Sequence, residues 1–205
     1  NFVDIPGSGV SLDKYNYSPY PLDNQGIIFN YVARIVNIKG INEYLACAKI
    51  IKSKYPQTVF RIFGSYDDDS YKQLVEDYVK NGYVKYYGPQ SKMLPYIESC
   101  HAVIHPSYYE GMTNVVLEHS AVGRVCIASD IPGCREGIED GVTGYLFEKK
   151  NVNQLVAAVE KFILLPLEEK AKMGRKARRK MEREFDRKIV TETYVKEIEK
   201  ICRNN

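Results

Sequence analysis

Glu110 and Glu118, with seven residues between them, are the side chains in this sequence best spaced for joint chemistry. The run Gly111-Met112-Thr113-Asn114 lies between them, and His105 stands just before. A carboxylate pair has two uses. It can move protons as general acid and base, or it can accept hydrogen bonds from the hydroxyls of a ligand. The surrounding elements favour the second. Ala102-Val103-Ile104 predicts a buried strand stopped by Pro106, and 113–122 predicts a helix. A loop that carries Gly111 and ends in a helix N-terminus is a seat for an anion, because unpaired N–H groups and the helix dipole converge there. Hydroxyl acceptors beside an anion seat suit a ligand with both phosphate and hydroxyls, the shape of a nucleotide-sugar.

Two cations form a second group. Arg34 ends another apolar run, 27–33, and Lys39-Gly40 lies five positions on. Both side chains are placed to reach toward one point, which suits a diphosphate. The alternative is a pair of solvated surface charges, the commoner fate of Arg and Lys. Asp67-Asp68-Asp69 has two readings also, a divalent-metal triplet or a helix cap, and its place between strand and helix favours the cap. His105 is placed to touch a ligand, whereas His101 and His119 read as structural. Tyr108 and Tyr109, beside Glu110, are candidates for stacking on a ligand. The basic run from Arg175 to Arg183 reads first as the solvated side of a helix and second as a contact with anionic lipid.

The elements that must position these residues alternate. Strands are predicted over 27–33, 58–63, 84–87, 102–104, 124–128 and 144–147. Helices are predicted over 42–54, 70–81 (capped by Asp69 or Ser70 and stopped by Gly82), 91–99 and 113–122, with three more over 151–164, 167–184 and 187–202. Val3 to Gly9 predicts a short strand entering a Gly-rich turn, and 15–24 a surface connection. Strands alternating with helices imply an α/β fold, a Rossmann-like parallel sheet with helices on both faces. In such sheets ligands bind beyond the carboxyl ends of the strands. Arg34, Gly64, Gly88-Pro89 and the 105–111 loop all fall there.

Composition narrows the function classes. The chain has 205 residues, 44% of them hydrophobic, and a net charge of +3, which is too mild to imply nucleic acid. No apolar run approaches the roughly 18–20 residues needed to span a bilayer. The five cysteines are scattered without a CxxC pair, which favours a reducing cytoplasm over a disulfide framework or zinc site. An opening at Asn1 without an initiator Met suggests a piece of something longer.

Glu110 and Glu118 in their E-x7-E arrangement resemble the retaining glycosyltransferases of family 4, which have the GT-B fold. Gly7-Ser8-Gly9-Val10 is similar to that family's GxGV turn, and Val32-Ala33-Arg34-Ile35 with Lys39-Gly40 to its GRL…KG phosphate motif. The runs from His105 to Asn114 and from Ser129 to Glu136 resemble the bacterial surface and capsular polysaccharide branch, and Asp140-Gly141-Val142-Thr143-Gly144 matches the turn before the last strand. Ser11, Ala33, His119 and Val125 depart from the residues common there.

The resemblance implies roles. Arg34 and Lys39 would hold the donor diphosphate, Glu118 the ribose, and Glu110 with Gly111, Met112, Thr113 and Asn114 the transferred sugar. Gly88 and Pro89 would face the base, and Gly9 and His105 would line the site. The donor would be a UDP-sugar, with a GDP-sugar as alternative, and no metal or other cofactor would be required. The chain would comprise a linker and opening strand over 1–26, a nucleotide-sugar-binding domain over 27–184, and a C-terminal helix over 185–205 that crosses back to a missing N-terminal domain. That domain would supply the glycan or lipid-linked acceptor site, with the whole enzyme cytoplasmic, at the inner face of the plasma membrane. The residues alone leave two other readings open: a stand-alone phosphate-ligand binding or regulatory domain, and a nucleotide-sugar epimerase.

Overall fold

A computed structural model describes residues 7–203 apart from 23 and 25. Its centre is a sheet of six parallel strands: β1 (Ile28–Val32), β2 (Val59–Phe63), β3 (Lys85–Tyr86), β4 (Ala102–His105), β5 (Val125–Ser129) and β6 (Gly144–Phe147). The order across the sheet is β3-β2-β1-β4-β5-β6. Every residue of β4 and β5 is buried, as expected of inner strands covered on both sides. Their side chains alternate between two cores. Ala102, Ile104, Val125 and Ile127 join one cluster, while Val103, Cys126 and Ala128 join another on the opposite face. β3, at the edge, is only two residues long and partly exposed.

The first face is covered by α1 (Ile41–Lys54) and α6 (Val152–Leu164), which pack on each other. Ile41, Tyr44, Leu45, Ala48 and Ile51 recur at helical spacing on α1 and are fully buried. Phe29 stacks on Phe60 at 5.0 Å and meets the edge of Phe162 at 5.9 Å. Each such ring stabilises the fold by about 1.5–3 kcal/mol through area removed from water. The Tyr44 hydroxyl donates to the Arg61 carbonyl at 2.9 Å, so its burial strands no polar group. The other face carries α4 (Asn114–Val122), against which α7 (Leu167–Lys180) and a π-type turn (Met181–Phe185) pack. The connections contain α2 (Tyr71–Lys80), α3 (Leu94–Glu98) and α5 (Pro132–Arg135), and the chain closes with α8 (Arg187–Arg203). No helix among the described residues is long and apolar enough to cross a membrane.

The strand predicted from Val3 lies mostly outside the described residues, and Gly7 and Ser8 form the turn expected after it. Other expectations need correction. Neither Asp69 nor Ser70 caps α2 with its side chain. Asp68 accepts the Ser70 N–H at 2.9 Å instead, while Asp67 pairs with Arg34 and Asp69 with Lys72, so the triplet's carboxylates serve three partners. The segment 15–24 is the surface connection expected, largely exposed where described, and it is tied down at Ser18 and Pro19. The buried Arg124 guanidinium donates to the carbonyls of Ser18 and Pro19, each at 3.0 Å, and to that of Glu98 at 2.9 Å. The basic run is not simply a solvated face. Arg178 turns inward to the carbonyls of Tyr15 and Ala121, and Arg175, Lys180 and Arg183 are engaged by Glu168 and Glu184.

In this strand order the chain reverses direction across the sheet between β1 and β4. A crevice opens at such a switch point beyond the carboxyl ends of the strands. The segments that follow β1 and β4 are the two that carry Arg34 with Lys39 and His105 with Glu110.

Candidate functional site

The turn after β1 and the loop after β4 are joined before any side chain of the site is considered. The Tyr108 N–H donates to the Ile38 carbonyl at 2.9 Å. Gly40 has φ +71°, and a Cβ there would lie 2.0 Å from the Pro106 carbonyl oxygen, so only glycine allows this approach. Beneath the turn, the Tyr31 hydroxyl lies 3.2 Å from the carbonyl oxygens of both Arg34 and Lys39. The Tyr108 hydroxyl donates to the buried Glu43 carboxylate at 2.8 Å. Tyr108 is therefore a strut and is not available for stacking. Tyr109 is 65% exposed, with the Lys149 ammonium 4.5 Å from its ring centre.

This stapling fixes three functional groups together. Glu110 Oε1 accepts from Lys39 Nζ at 2.7 Å and lies 3.1 Å from His105 Nε2, with Glu110 and Lys39 largely enclosed and His105 buried. His105 Nε2 also lies 3.3 Å from the Thr113 hydroxyl. Burial alone would raise the Glu110 carboxyl, but hydrogen bonds from His105 and Lys39 outweigh it and hold the group at about 2. Glu110 is thus ionised at neutral pH and can only accept hydrogen bonds, as a group that holds hydroxyls must.

The loop around Gly111 is seated from below. A Cβ on Gly133, in the first turn of α5, would fall 1.5 Å from the Gly111 carbonyl oxygen, and the Thr113 N–H donates to the Gly133 carbonyl at 3.4 Å. Gly133 was not singled out as a site residue in the sequence, although its Ile-Pro-Gly setting marks a tight turn. Asn114 opens α4, with Thr113 extended at the N-cap, so the N–H groups of the helix's first turn point toward the loop. Gly7 touches this loop too, where a Cβ would lie 2.7 Å from that of Met112. Gly9, the glycine expected at the site, packs instead against Phe185 and Arg187, where Val10 bridges to Asp186.

Arg34 and Lys39 are held by different carboxylates: Arg34 pairs with Asp67, in the acidic loop after β2, at 2.7 Å in an exposed ion pair, and Lys39 with Glu110. Glu118 is separate again. It lines a cavity of about 520 Å³ with Lys14, Tyr15 and residues 91–95, including Met93 and Leu94. Gly88 and Pro89 precede that rim, and the Gly88 carbonyl accepts the Gly64 N–H at 3.1 Å, tying the ends of β2 and β3. Burial raises the Glu118 carboxyl, opposed by the Tyr15 hydroxyl, Lys14 and Arg187. Tyr15 went unnoticed in the sequence, where it read as part of a connection. His101 and His119 are structural as expected: His101 Nδ1 accepts the Ile28 N–H at 3.0 Å and His119 Nδ1 pairs with the Val115 carbonyl at 2.7 Å, while burial lowers His119 to about 3.

The arrangement offers an ionised hydroxyl acceptor braced by a lysine, an exposed arginine, and a second carboxylate in a cavity beside the same helix N-terminus. The family model described as glycosyl transferases group 1 matches residues 18–180. An N,N'-diacetylbacillosaminyl-diphospho-undecaprenol alpha-1,3-N-acetylgalactosaminyltransferase of Campylobacter jejuni is 28% identical over 184 residues, 89% of this chain and 47% of that protein. The capsular polysaccharide biosynthesis glycosyltransferase CapM of Staphylococcus aureus is 25% identical over 94% of this chain and 54% of its own length. The chain thus spans about half the length of these relatives. Among solved structures, Anabaena Alr3699/HepE in complex with UDP superposes with a TM-score of 0.82 at 18% identity, over 94% of this chain and 56% of that one. A glycosyltransferase from Rickettsia africae superposes with a TM-score of 0.84 over 96% and 56%.

Proposed function

The chain belongs to the glycosyl transferases group 1 family, and from that premise we propose that it is the donor-binding half of a retaining GT-B glycosyltransferase. It takes a nucleoside-diphosphate sugar, a UDP-hexose ahead of a GDP-hexose, for surface polysaccharide or glycolipid assembly. The single observation that carries this reading is the Lys39–Glu110–His105 cluster at the switch point, followed in the chain by α4, whose Glu118 lines a cavity. UDP in the crystal structures of Anabaena Alr3699/HepE supports the choice of base, and CapM supports the polysaccharide context.

In this reading Glu118 accepts hydrogen bonds from the ribose diol, and the base lies toward Gly88, Pro89 and the 91–95 rim. Lys39 and Arg34 take the diphosphate. Glu110 and the backbone from Gly111 to Asn114 hold the sugar. As the bond from sugar C1 to the diphosphate oxygen breaks, charge grows on that oxygen, and two cations with helix N–H groups meet it. The acceptor hydroxyl forms the new bond on the same face, and its proton passes to the departing phosphate. Glu110, already ionised and braced, positions the sugar and is not the nucleophile. The charge on the diphosphate is met by side chains, so the scheme requires no metal.

The acceptor site belongs to a partner domain beyond this chain, glycan or lipid-linked in its ligand. α8 leaves Tyr194, Val195 and Ile198 exposed on one side, a face suited to that domain. The whole enzyme works in the cytoplasm at the inner membrane face. The test is the melting temperature of the chain with UDP, GDP, ADP and UDP-hexoses. A rise with UDP or GDP that Glu118→Ala removes supports the reading, and no rise with any of them overturns it.

A further inference from the structure

We propose that Glu43 is a positioning residue for the transferred sugar, because through the Tyr108 hydroxyl it holds the loop that carries Glu110. This rests on the donor-site reading above and gives a role to a carboxyl group that reading does not use. Glu43 lies in the first turn of α1, where the helix dipole would already favour a solvated carboxylate. It is buried instead, at 7% exposure, and so is the Tyr108 side chain that it meets. Glu43 Oε1 accepts from the Tyr108 hydroxyl at 2.8 Å, while Oε2 is buried with no hydrogen-bond partner among the described residues. A carboxyl group buried with one oxygen unsatisfied costs stability, so what it holds is the reason to look for. It holds the residue two positions before Glu110.

The contact bears on the sugar loop and not on the phosphate turn, which has supports of its own. The Tyr31 hydroxyl lies 3.2 Å from the carbonyl oxygens of both Arg34 and Lys39. The Tyr108 hydroxyl also lies 3.3 Å from Asn37 Oδ1, but that oxygen accepts from Asn42 Nδ2 at 3.1 Å and keeps a partner without it. Burial and the Glu43 carboxylate both raise the Tyr108 phenol, which therefore stays a donor. Without its hydroxyl, Tyr108 keeps only the backbone bond to the Ile38 carbonyl. The loop stays in place, but the residues that lead into Glu110 gain freedom on the side away from Lys39. Glu110 then meets the sugar from a less fixed position, while Arg34 and Lys39 still meet the diphosphate.

Calorimetric titration of Tyr108→Phe with a UDP-hexose and with UDP tests this. The variant keeps the ring, its packing and the Lys150 ammonium 4.7 Å from the ring centre. Loss of one hydrogen bond to a charged group corresponds to UDP-hexose bound roughly tenfold more weakly by the variant. UDP, which lacks the sugar, binds the variant and the wild type alike, a split that general damage to the fold would not produce. Glu43→Gln keeps an acceptor oxygen for the phenol and retains wild-type binding of both ligands. Unchanged UDP-hexose binding by Tyr108→Phe, an equal fall with both ligands, or weaker UDP-hexose binding by Glu43→Gln overturns the inference while leaving the donor site standing. Absence of binding of either ligand to the wild type overturns the donor-site reading and this inference with it.

Discussion

Lys39→Ala tests whether the site is prebuilt or assembled by its ligand. Lys39 Nζ holds Glu110 at 2.7 Å, with their side chains 19% and 16% exposed. Breaking a buried pair costs about 3–5 kcal/mol, because one charge is left without its partner. Here His105 keeps its contact with Glu110 at 3.1 Å and the site is open at one edge, which lowers the expected cost to ~2 kcal/mol. For a chain of this size that is a fall in melting temperature of about 4–8 °C at pH 7. The pH dependence carries a sign. Glu110 is held at about 2, below its ordinary 4.5, so its contribution is complete above 4.5 and fades as pH falls through 2. The gap between wild type and Lys39→Ala therefore narrows on acidification below 4.5. A double-mutant cycle with Glu110→Gln, read by denaturant unfolding, should return a coupling of at least ~1 kcal/mol. Zero coupling, or a gap that is unchanged from pH 7 to pH 3, would refute the reasoning.

Arg34→Ala removes only an exposed pair with Asp67 and should change stability by less than about 0.5 kcal/mol, while UDP affinity falls at least about tenfold if Arg34 meets the diphosphate. Thermal unfolding and titration on the same sample separate the two effects. Gly40→Ala places a Cβ 2.0 Å from the Pro106 oxygen at φ +71°, and unfolding curves should show a loss of about 3 kcal/mol or more together with lost UDP binding. Arg124→Leu leaves the carbonyls of Ser18, Pro19 and Glu98 without their donor, so a loss of about 3–5 kcal/mol is expected, along with faster protease cleavage within 15–24.

The sequence carried the sheet well because its signals were local. The strands of 27–33 and 102–104 are apolar runs stopped by loop residues, and both are inner strands of the sheet. The pairing of Glu110 with Lys39 was not legible, since it depends on the strand order that sets β1 beside β4. The same limit explains Arg34, whose direction is decided by Asp67 on a different loop. Residues 15–24 lacked any period and so read as a surface connection. Their anchor is Arg124, more than a hundred positions away in sequence, whose guanidinium takes the Ser18 and Pro19 carbonyls. Gly133 shows the converse. Its tight-turn setting was visible, but the Gly111 carbonyl it accommodates was not.

Calorimetric titration of the wild-type chain, Glu118→Ala and Lys39→Ala with a UDP-hexose reads directly whether Glu118 and the Lys39–Glu110 cluster hold a nucleoside-diphosphate sugar. One site per chain in the wild type, with affinity lost by at least about tenfold in each variant, is the predicted result. Binding that is unchanged in both variants would mean that neither group holds the donor.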